Sequence, residues 1–323
     1  MKVLRWKQLS SMIFLLLIVM SVVVGCSKDN STKSNSDHKE TKETAEQDAS
    51  KKGSKELVVV LEGEPTSLDP QNSTDGNSSN VQESIFEGLL TFDSEMKLVP
   101  LLAKNYSFNE DATAITFELK EGIVFHDGTP FNAEAVKTTF DRLLDPNTGS
   151  PQRTKFEMIT EVKVIDDYTV QLLLAYPYAP LLSILASQEG SIISPKALDE
   201  NPEKLAEHPV GTGPFVFGEW KSGQEISLKK NENYWGKKPN IDAVVFKVVP
   251  EDATRLAMIE TGEAHINDQV PVTEIERIEA SNTMGLYRTE GLAVEYLGFN
   301  TKKKPFDDVK VRKAISHAIE REA

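Results

Sequence analysis

Residues 241–266 read IDAVVFKVVPEDATRLAMIETGEAHI, and this stretch decides the fold class. A mostly apolar run over Val244–Val249 is followed by Pro250, a helix-forming stretch, Gly262 and a second short apolar segment. A strand, a helix and a strand in that order favour parallel pairing, because the crossover helix returns the chain to the same end of the sheet. The stretch therefore predicts an α/β core.

Further elements surround this unit. The continuous apolar run LVVVL (Leu57–Leu61) predicts a strand buried on both faces. A polar loop over 64–79 follows, and then a helix with Val81, Ile85 and Leu89 on one face and with Ser79 and Gln82 in the spacing of a capping box. The remaining predicted elements are a strand alternating over Ile115–Leu119, a helix after Asn132, hairpins turning at Asp166-Asp167 and Ser222-Gly223, a helix with a capping box at Thr273 and Glu276, a strand over 292–300, and a helix over 306–323 with Val311 and Ile315 on one face.

The N-terminal residues 1–25 predict a signal peptide. Lys2, Arg5 and Lys7 precede a short apolar run that ends at Gly25. The run is too short for a hydrocarbon core of ~30 Å, which needs about 20 residues, and the pattern is typical of a secretion signal. The letters VVGC, which end at Cys26, resemble a bacterial lipobox. By that resemblance Cys26 carries diacylglycerol as the first mature residue; the alternative is an incidental cysteine in a cleaved signal.

Charge and composition narrow the class of partner. Residues 26–56 are almost entirely polar and charged, so they cannot bury enough apolar surface to fold, and we expect a disordered linker. The whole chain of 323 residues has a net charge of −14. This acidity argues against nucleic acid as a partner, because binding to phosphate needs basic residues.

No recognisable catalytic set stands out. The histidines at 38, 126, 208, 265 and 317 lack zinc-ligand spacing, and HExxH, GxSxG and Walker A patterns are absent. GTGPF (Gly211–Phe215) has no third glycine for a dinucleotide loop and predicts a tight turn. We expect neither a metal nor a cofactor.

Two other groups of residues have a structural and a functional interpretation. Asp69 and Asp127 lie in LDP and HDG, where side-chain oxygens commonly accept bonds from nearby backbone amides, so we favour a structural role. The aromatic residues Trp220, Tyr234 and Trp235 either stack on a ligand or belong to a core. An exported and tethered chain without visible chemistry favours a binding role over an enzyme.

Four ordered segments carry a family resemblance: SLDPQNSTDGNSSNVQESIFEGLL, VFHDGTPFNAEAVKTTFDRLLDP, PVGTGPFVFGEW…ENYWGKKPNID and YLGFNTKKKPFDDVKVRKAISHAIERE. They resemble the extracellular solute-binding proteins, family 5, that serve ABC importers of dipeptides, oligopeptides, glutathione or nickel. The resemblance covers residues 57–323 and does not specify a substrate.

The resemblance implies a periplasmic-binding-protein-like α/β fold of two lobes that close over ligand, with a subdomain inserted in lobe one and most of lobe two missing. Residues 57–100 and 209–297 would form lobe one, 101–208 the insertion, and 298–323 the hinge and the start of lobe two. Gly298, Phe299 and Asn300 would form the hinge. Thr74, Asp75, Gly76 and Asn77 would contact substrate, because a loop before a helix offers free amides to a carboxylate or peptide.

The implied function is that of a substrate-binding lipoprotein that captures a peptide or glutathione and delivers it to ABC permease subunits. We expect it on the extracellular face, or on the periplasmic side, of the cell membrane of a bacterium, of Gram-positive type, held by its lipid. We expect weak binding from this chain, because only first-lobe contacts remain. The alternatives are a surface-tethered peptidase or hydrolase, and a peptide-sensing lipoprotein.

Overall fold

The computed structural model describes residues 55–288 and 296–320. The strands are β1 (Glu56–Leu61), β2 (Leu90–Phe92), β3 (Leu98–Pro100), β4 (Ala103–Phe108), β5 (Ala114–Leu119), β6 (Ile159–Asp166), β7 (Thr169–Leu174), β8 (Phe215–Lys221), β9 (Glu225–Lys230), β10 (Ala243–Val248) and β11 (Ile266–Asn267). The α-helices are α1 (Gly76–Gln82), α2 (Ala133–Leu144), α3 (Leu181–Leu185), α4 (Pro195–Glu200), α5 (Asp252–Thr261), α6 (Ile275–Glu279) and α7 (Val309–Ala318).

The predicted strand–helix–strand unit forms one side of a five-stranded sheet of order β11-β1-β10-β9-β8. β1 lies between β10 and β11 and is parallel to both, with Val59 opposite Phe246 on one side and Ile266 on the other. The hairpin β8–β9 extends the sheet in antiparallel register. The predicted parallel α/β core is therefore confirmed, with β1 inserted between the strands of the unit.

Both faces of this sheet bury apolar residues, as the continuous run in β1 predicts. Leu61 packs on one face in a cluster with Val81 of α1. Val58 and Val60 pack on the other face, where Met258 of α5 contacts them. The helices that follow β1 and β10 therefore cover opposite faces.

A second sheet of four strands, in the order β4-β5-β7-β6, is antiparallel throughout. Ile115, Phe117 and Leu119 alternate toward a buried cluster that also contains Phe140 of α2. Asn132 caps α2 as predicted, because its side chain accepts a hydrogen bond from the amide of Ala135.

Several sequence-based expectations are wrong in detail. Asp75, not Ser79, caps α1, and the Gln82 amide turns inward to bond the Ser67 carbonyl and the Ser73 hydroxyl, so it is not available for a capping box. The residues Thr273 and Glu276 likewise form no cap, because a 3₁₀ turn over Val272–Glu274 precedes α6. In the predicted strand over 292–300, the described residues 296–300 have no regular structure. The last predicted helix is confirmed as α7.

Candidate functional site

At the carboxyl ends of β1 and β10 the topology favours a crevice, because α1 and α5, which follow these strands, cover opposite faces of the sheet. In a parallel sheet, neighbouring strands whose following helices cover opposite faces leave such an opening at their carboxyl ends, and ligands commonly bind there. Asp268, just after β11, accepts a hydrogen bond from Asn80 of α1 at this end of the sheet. The crevice therefore has α1 on one flank and the exits of β10 and β11 on the other.

A buried guanidinium holds the exits of β10 and β11. Arg255 of α5 is 1% exposed, and its Nη1 donates to the carbonyls of Val249 and Pro250, each at 2.8 Å. Its Nη2 donates to Asp252 and, at 3.4 Å, to the carbonyl of Gln269. Arg255 thus fixes the backbone on which one side of the crevice is built.

The predicted substrate loop lies at the N-terminus of α1. Asp75 points inward: its carboxylate accepts from the amide of Ser78 at 2.8 Å and from the hydroxyls of Ser78 and Thr66. Partial burial raises the pKa of the Asp75 carboxyl, but these hydrogen bonds outweigh it and hold the pKa below its usual value. A ligand carboxylate at this helix start would therefore be repelled by the negative charge of Asp75. The Ser78 amide is also not available to it, because it is already bonded to Asp75.

The other three residues of the predicted loop differ in their surroundings. Thr74 and Gly76 are exposed, and Asn77 is half-buried. The Asn77 Nδ2 atom lies 3.0 Å from the position that a Cβ on Gly63 would take, so it packs against the segment after β1. Thr74 also lines a cavity. It is therefore the member of the predicted set with the best access to a ligand.

Two adjoining cavities run along one flank of α1. The first, here called the α1 groove, has a volume of about 750 Å³ and is lined by residues that include Glu83, Glu87, Asp93, Met96 and Tyr234. The second, here called the glutamine cavity, has a volume of about 150 Å³ and is lined by Pro70, Ser73, Thr74, Ser79, Gln82, Gln152, Lys155, Gln188 and Glu189. Ser79, Gln188 and Glu189 line both. Together they form the candidate ligand site.

The wall of the α1 groove is held by a buried carboxylate. Glu87 is 6% exposed and accepts hydrogen bonds from Tyr234 Oη at 2.7 Å and from Thr212 Oγ1 and Trp235 Nε1, each at 2.8 Å. Burial raises the pKa of Glu87, and these donors and the charge of Lys120 offset it only in part. The Lys120 ammonium lies 4.6 Å from the Trp235 ring centroid. Glu87 therefore joins three segments that are far apart in the sequence.

Comparison with known proteins places this geometry in a family. Residues 97–323 match the family model of the bacterial extracellular solute-binding proteins, family 5. The glutathione-binding protein GsiB of Escherichia coli is 36% identical over 270 residues, which are 83% of this chain and 53% of GsiB. The chain belongs to the family 5 solute-binding proteins.

Solved structures agree with this assignment. The periplasmic binding protein DppA of Helicobacter pylori, in complex with the peptide STSA, matches 83% of this chain and 57% of its own at 32% identity and a TM-score of 0.75. The oligopeptide-binding protein AppA of Bacillus subtilis, in complex with a nonapeptide, matches 83% of this chain and 54% of its own at 28% identity and a TM-score of 0.74. The α/β fold of a periplasmic binding protein is thereby confirmed, and the chain spans about half the length of these relatives.

In this solute-binding protein, the two aspartates of the family motifs have structural roles. Asp69 forms an ion pair with Arg142 of α2 at 2.6 Å. Asp127 accepts from the amide of Thr129 at 2.9 Å and from the hydroxyl of Ser194 at 2.5 Å. The structural interpretation of both aspartates is confirmed.

The glycines and the aromatic residues of the motifs also make contacts within the fold. Gly213 donates its amide to the Ile85 carbonyl at 2.9 Å, and a Cβ at this position would lie 2.6 Å from the same oxygen. Trp220 donates to Glu64 at 2.9 Å. GTGPF, predicted as a tight turn, bends over 212–214 and enters β8, and it brings Gly213 against the Ile85 backbone. Trp220, like Tyr234 and Trp235, is bonded to an acidic side chain.

A further cavity of about 670 Å³ lies beside β8, and its lining includes His126, His208, Phe217 and Trp220. His126 Nε2 donates to the Gly213 carbonyl at 2.9 Å, and burial lowers the pKa of its imidazole. His208 stacks on Phe217 with ring centroids 5.5 Å apart. In the described part of the chain, no group of three or more His, Cys, Asp or Glu residues could hold a metal ion.

The predicted lipid-attachment residue and the predicted hinge lie at the two ends of the chain. Cys26 lies outside the described residues. Of the predicted hinge, Gly298 and Asn300 are exposed, and the Phe299 ring packs against Phe306 with centroids 5.5 Å apart. Within residues 55–288 and 296–320, no helix is both long and apolar enough to cross a bilayer.

The sequence reasoning missed three residues of the site, Glu87, Gln152 and Gln188, and also Arg255 at the ends of β10 and β11. Glu87 had a usable signal, since it is a single acid inside the apolar stretch IFEGLL, and a charge there is buried only when it is paired. The two glutamines lie in polar loops without any distinguishing pattern.

Proposed function

We propose that the chain is the substrate-binding lipoprotein of an ABC importer, which captures di- and oligopeptides or glutathione outside the cell and delivers them to a membrane permease. The observation that carries this proposal is the match to a binding protein in complex with a peptide, DppA, at 32% identity over 83% of this chain. The glutathione-binding relatives support the same class of solute. The protein binds its solute without converting it.

The arrangement of lobes is part of the proposal. Residues 57–100 and 209–297, which include the five-stranded sheet, form lobe one, and residues 101–208, which include the four-stranded sheet, form the insertion. Residues 298–323 form the hinge and the start of lobe two. The α1 groove and the glutamine cavity supply the lobe-one contacts, and hinge closure encloses the ligand, because burying its polar groups unpaired would cost several kcal/mol.

Nuclear magnetic resonance titration tests the binding site. We expect di- to pentapeptides or glutathione to shift the amide resonances of Thr74, Ser79 and Gln188 in a saturable way. Thr74→Ala should weaken the binding several-fold, whereas Thr273→Ala, an exposed threonine in the turn before α6, should not. Saturable shifts that map elsewhere, or none with any of these ligands, would refute the proposal. A peptide that is recovered shortened would indicate the alternative, a surface peptidase.

The anchor is tested separately. We propose that Cys26 carries diacylglycerol and holds the protein on the extracellular face of the membrane of a Gram-positive bacterium. Labelled palmitate should enter the wild-type protein and not Cys26→Ser, and the variant should leave the membrane fraction. Equal labelling of both forms would disprove lipid attachment at this residue.

A further inference from the structure

The glutamine cavity contains polar groups that the fold leaves unused. Gln152 is 5% exposed and donates its Nε2 to the Ser73 carbonyl, but its Oε1 is buried and has no hydrogen-bond partner among the described residues. Across the described ranges, the buried Nε2 of Gln188 also lacks an acceptor. The unpaired acceptor and the unpaired donor therefore belong to two side chains that line one cavity, although buried polar groups are normally bonded.

The buried Gln82 and the charged side chains of the cavity are already paired. Gln82 is fully buried and bonds the Ser67 carbonyl at 3.0 Å and the Ser73 hydroxyl at 2.9 Å. Lys155 forms an ion pair with Glu189 at 2.5 Å, so the one cation and the one carboxylate that line the cavity neutralise each other. Apart from the exposed Thr74 hydroxyl, the lining thus contributes one buried acceptor and one buried donor that have no partner among the described residues, without a net charge.

This chemistry selects a neutral group that can both donate and accept. A carboxylate has no N–H for Gln152 Oε1, and an ammonium group has no acceptor for Gln188 Nε2. A primary carboxamide has both. The volume of about 150 Å³ equals roughly five waters at ~30 Å³ each, which is enough for the end of a side chain but not for a whole peptide.

We propose that the glutamine cavity is a specificity subsite for a primary carboxamide, such as an asparagine or glutamine side chain of the captured peptide. The carboxamide N–H donates to Gln152 Oε1, and its carbonyl accepts from Gln188 Nε2. Thr74 and Ser79 connect this subsite to the predicted substrate loop and to the α1 groove. That the ligand is a peptide side chain rests on the proposed function. The existence of a carboxamide subsite does not.

The experiment has two parts, which separate the inference from the proposed function. Acetamide, acetate and ethylammonium are first titrated into the isotope-labelled chain, and the side-chain amide resonances of Gln152 and Gln188 are followed. We expect saturable shifts with acetamide and not with the two ions. Absence of shifts with acetamide would show that the cavity holds ordered water only, and equal shifts with all three probes would show that it does not select a carboxamide. Either result would overturn the proposal.

The second part compares Gly-Gln with Gly-Glu. We expect the carboxamide peptide to bind about tenfold more tightly, which corresponds to ~1.4 kcal/mol, and Gln152→Leu and Gln188→Leu to remove most of this preference. Gln188→Leu is the safer variant, since its unpaired Nε2 gives no bond to the fold. Gln171→Leu, at a half-buried glutamine that bonds Thr116 at 2.9 Å, should keep the preference.

The outcomes are distinguishable. Peptides that bind without preferring the carboxamide, or a preference that survives Gln188→Leu, would overturn the subsite and leave the proposed function intact. Shifts with acetamide without binding of any peptide would support the subsite and refute peptide capture.

Discussion

We predict that replacing Arg255 by methionine destabilises the backbone after β10 and β11, because the variant removes the hydrogen bonds that hold it. Methionine fills much of the aliphatic volume of the side chain but donates no hydrogen bond. The carbonyls of Val249 and Pro250, each bonded at 2.8 Å, lose a charged donor, and the longer bond of 3.4 Å to Gln269 contributes little. A hydrogen bond to a charged group contributes about 1.5–3 kcal/mol.

The expected loss in the free energy of unfolding is at the lower end of that sum, at ~3 kcal/mol, for two reasons. Methionine avoids the desolvation cost of the guanidinium, and Asp252, the carboxylate left behind, is 59% exposed and stays hydrated. The matched control is Arg277→Met. Arg277 also pairs with two carboxylates, Glu260 and Glu274, but it is 52% exposed, so we expect little or no change.

Urea unfolding of the wild type and of both variants gives these differences directly, provided that the slopes with denaturant are equal. Hydrogen exchange supplies a local measurement: the amides after β10 and β11 should exchange faster in Arg255→Met than global destabilisation alone explains. A loss below about 1 kcal/mol, or one that Arg277→Met equals, would show that Arg255 does not anchor the ends of these strands.

Three further predictions concern single side chains. Gly213→Ala should lose about 1–3 kcal/mol by urea unfolding, because its Cβ would approach the Ile85 carbonyl, whereas Gly76→Ala meets no atom within 4 Å and should lose nothing. Asp75→Ala should lose about 1 kcal/mol of capping energy. Because the pKa of Asp75 is lowered on folding, the difference in unfolding free energy between the wild type and this variant is present above about pH 4 and should shrink as the pH falls below that value. Burial raises the pKa of Glu87 in the folded protein, so its contribution to stability is present below about pH 4.5 and is lost as the pH rises. In unfolding curves, the stability of the wild type relative to Glu87→Gln should therefore fall as the pH rises above that value; a difference that grows instead would contradict the burial argument.

Local patterns predicted the elements of the fold well. The apolar run in β1, the turn at Ser222-Gly223 and the cap at Asn132 each depend on residues within a few positions of one another, and each is confirmed. The capping box at Ser79 failed because two residues competed for one helix start. Asp75 has an extended backbone and accepts a hydrogen bond from the Ser78 amide, so the helix already begins at Gly76, before Ser79. Tertiary contacts of Gln82 removed the other half of the motif.

The candidate site was less predictable because long-range contacts build it. Glu87 bonds Thr212 across 125 positions and Trp235 across 148. Gln152 reaches the Ser73 carbonyl across 79. No periodicity connects residues so far apart, and a glutamine in a polar loop has no property that marks it as buried.

The same contacts explain why the family can be recognised from the sequence, whereas the identity of the solute cannot. The residues that carry the resemblance, such as Glu87, Thr212 and Trp235, bond one another and build the support of the α1 groove. A change in any one of them leaves a buried donor or acceptor unpaired, which costs free energy whatever the ligand is. Residues that line the cavities without such bonds, such as Thr74 and Gln188, can vary without loss of the fold. We therefore propose that substrate preference depends on the lining side chains that form no such bonds, and those are the positions at which substitutions should change binding while leaving stability unchanged.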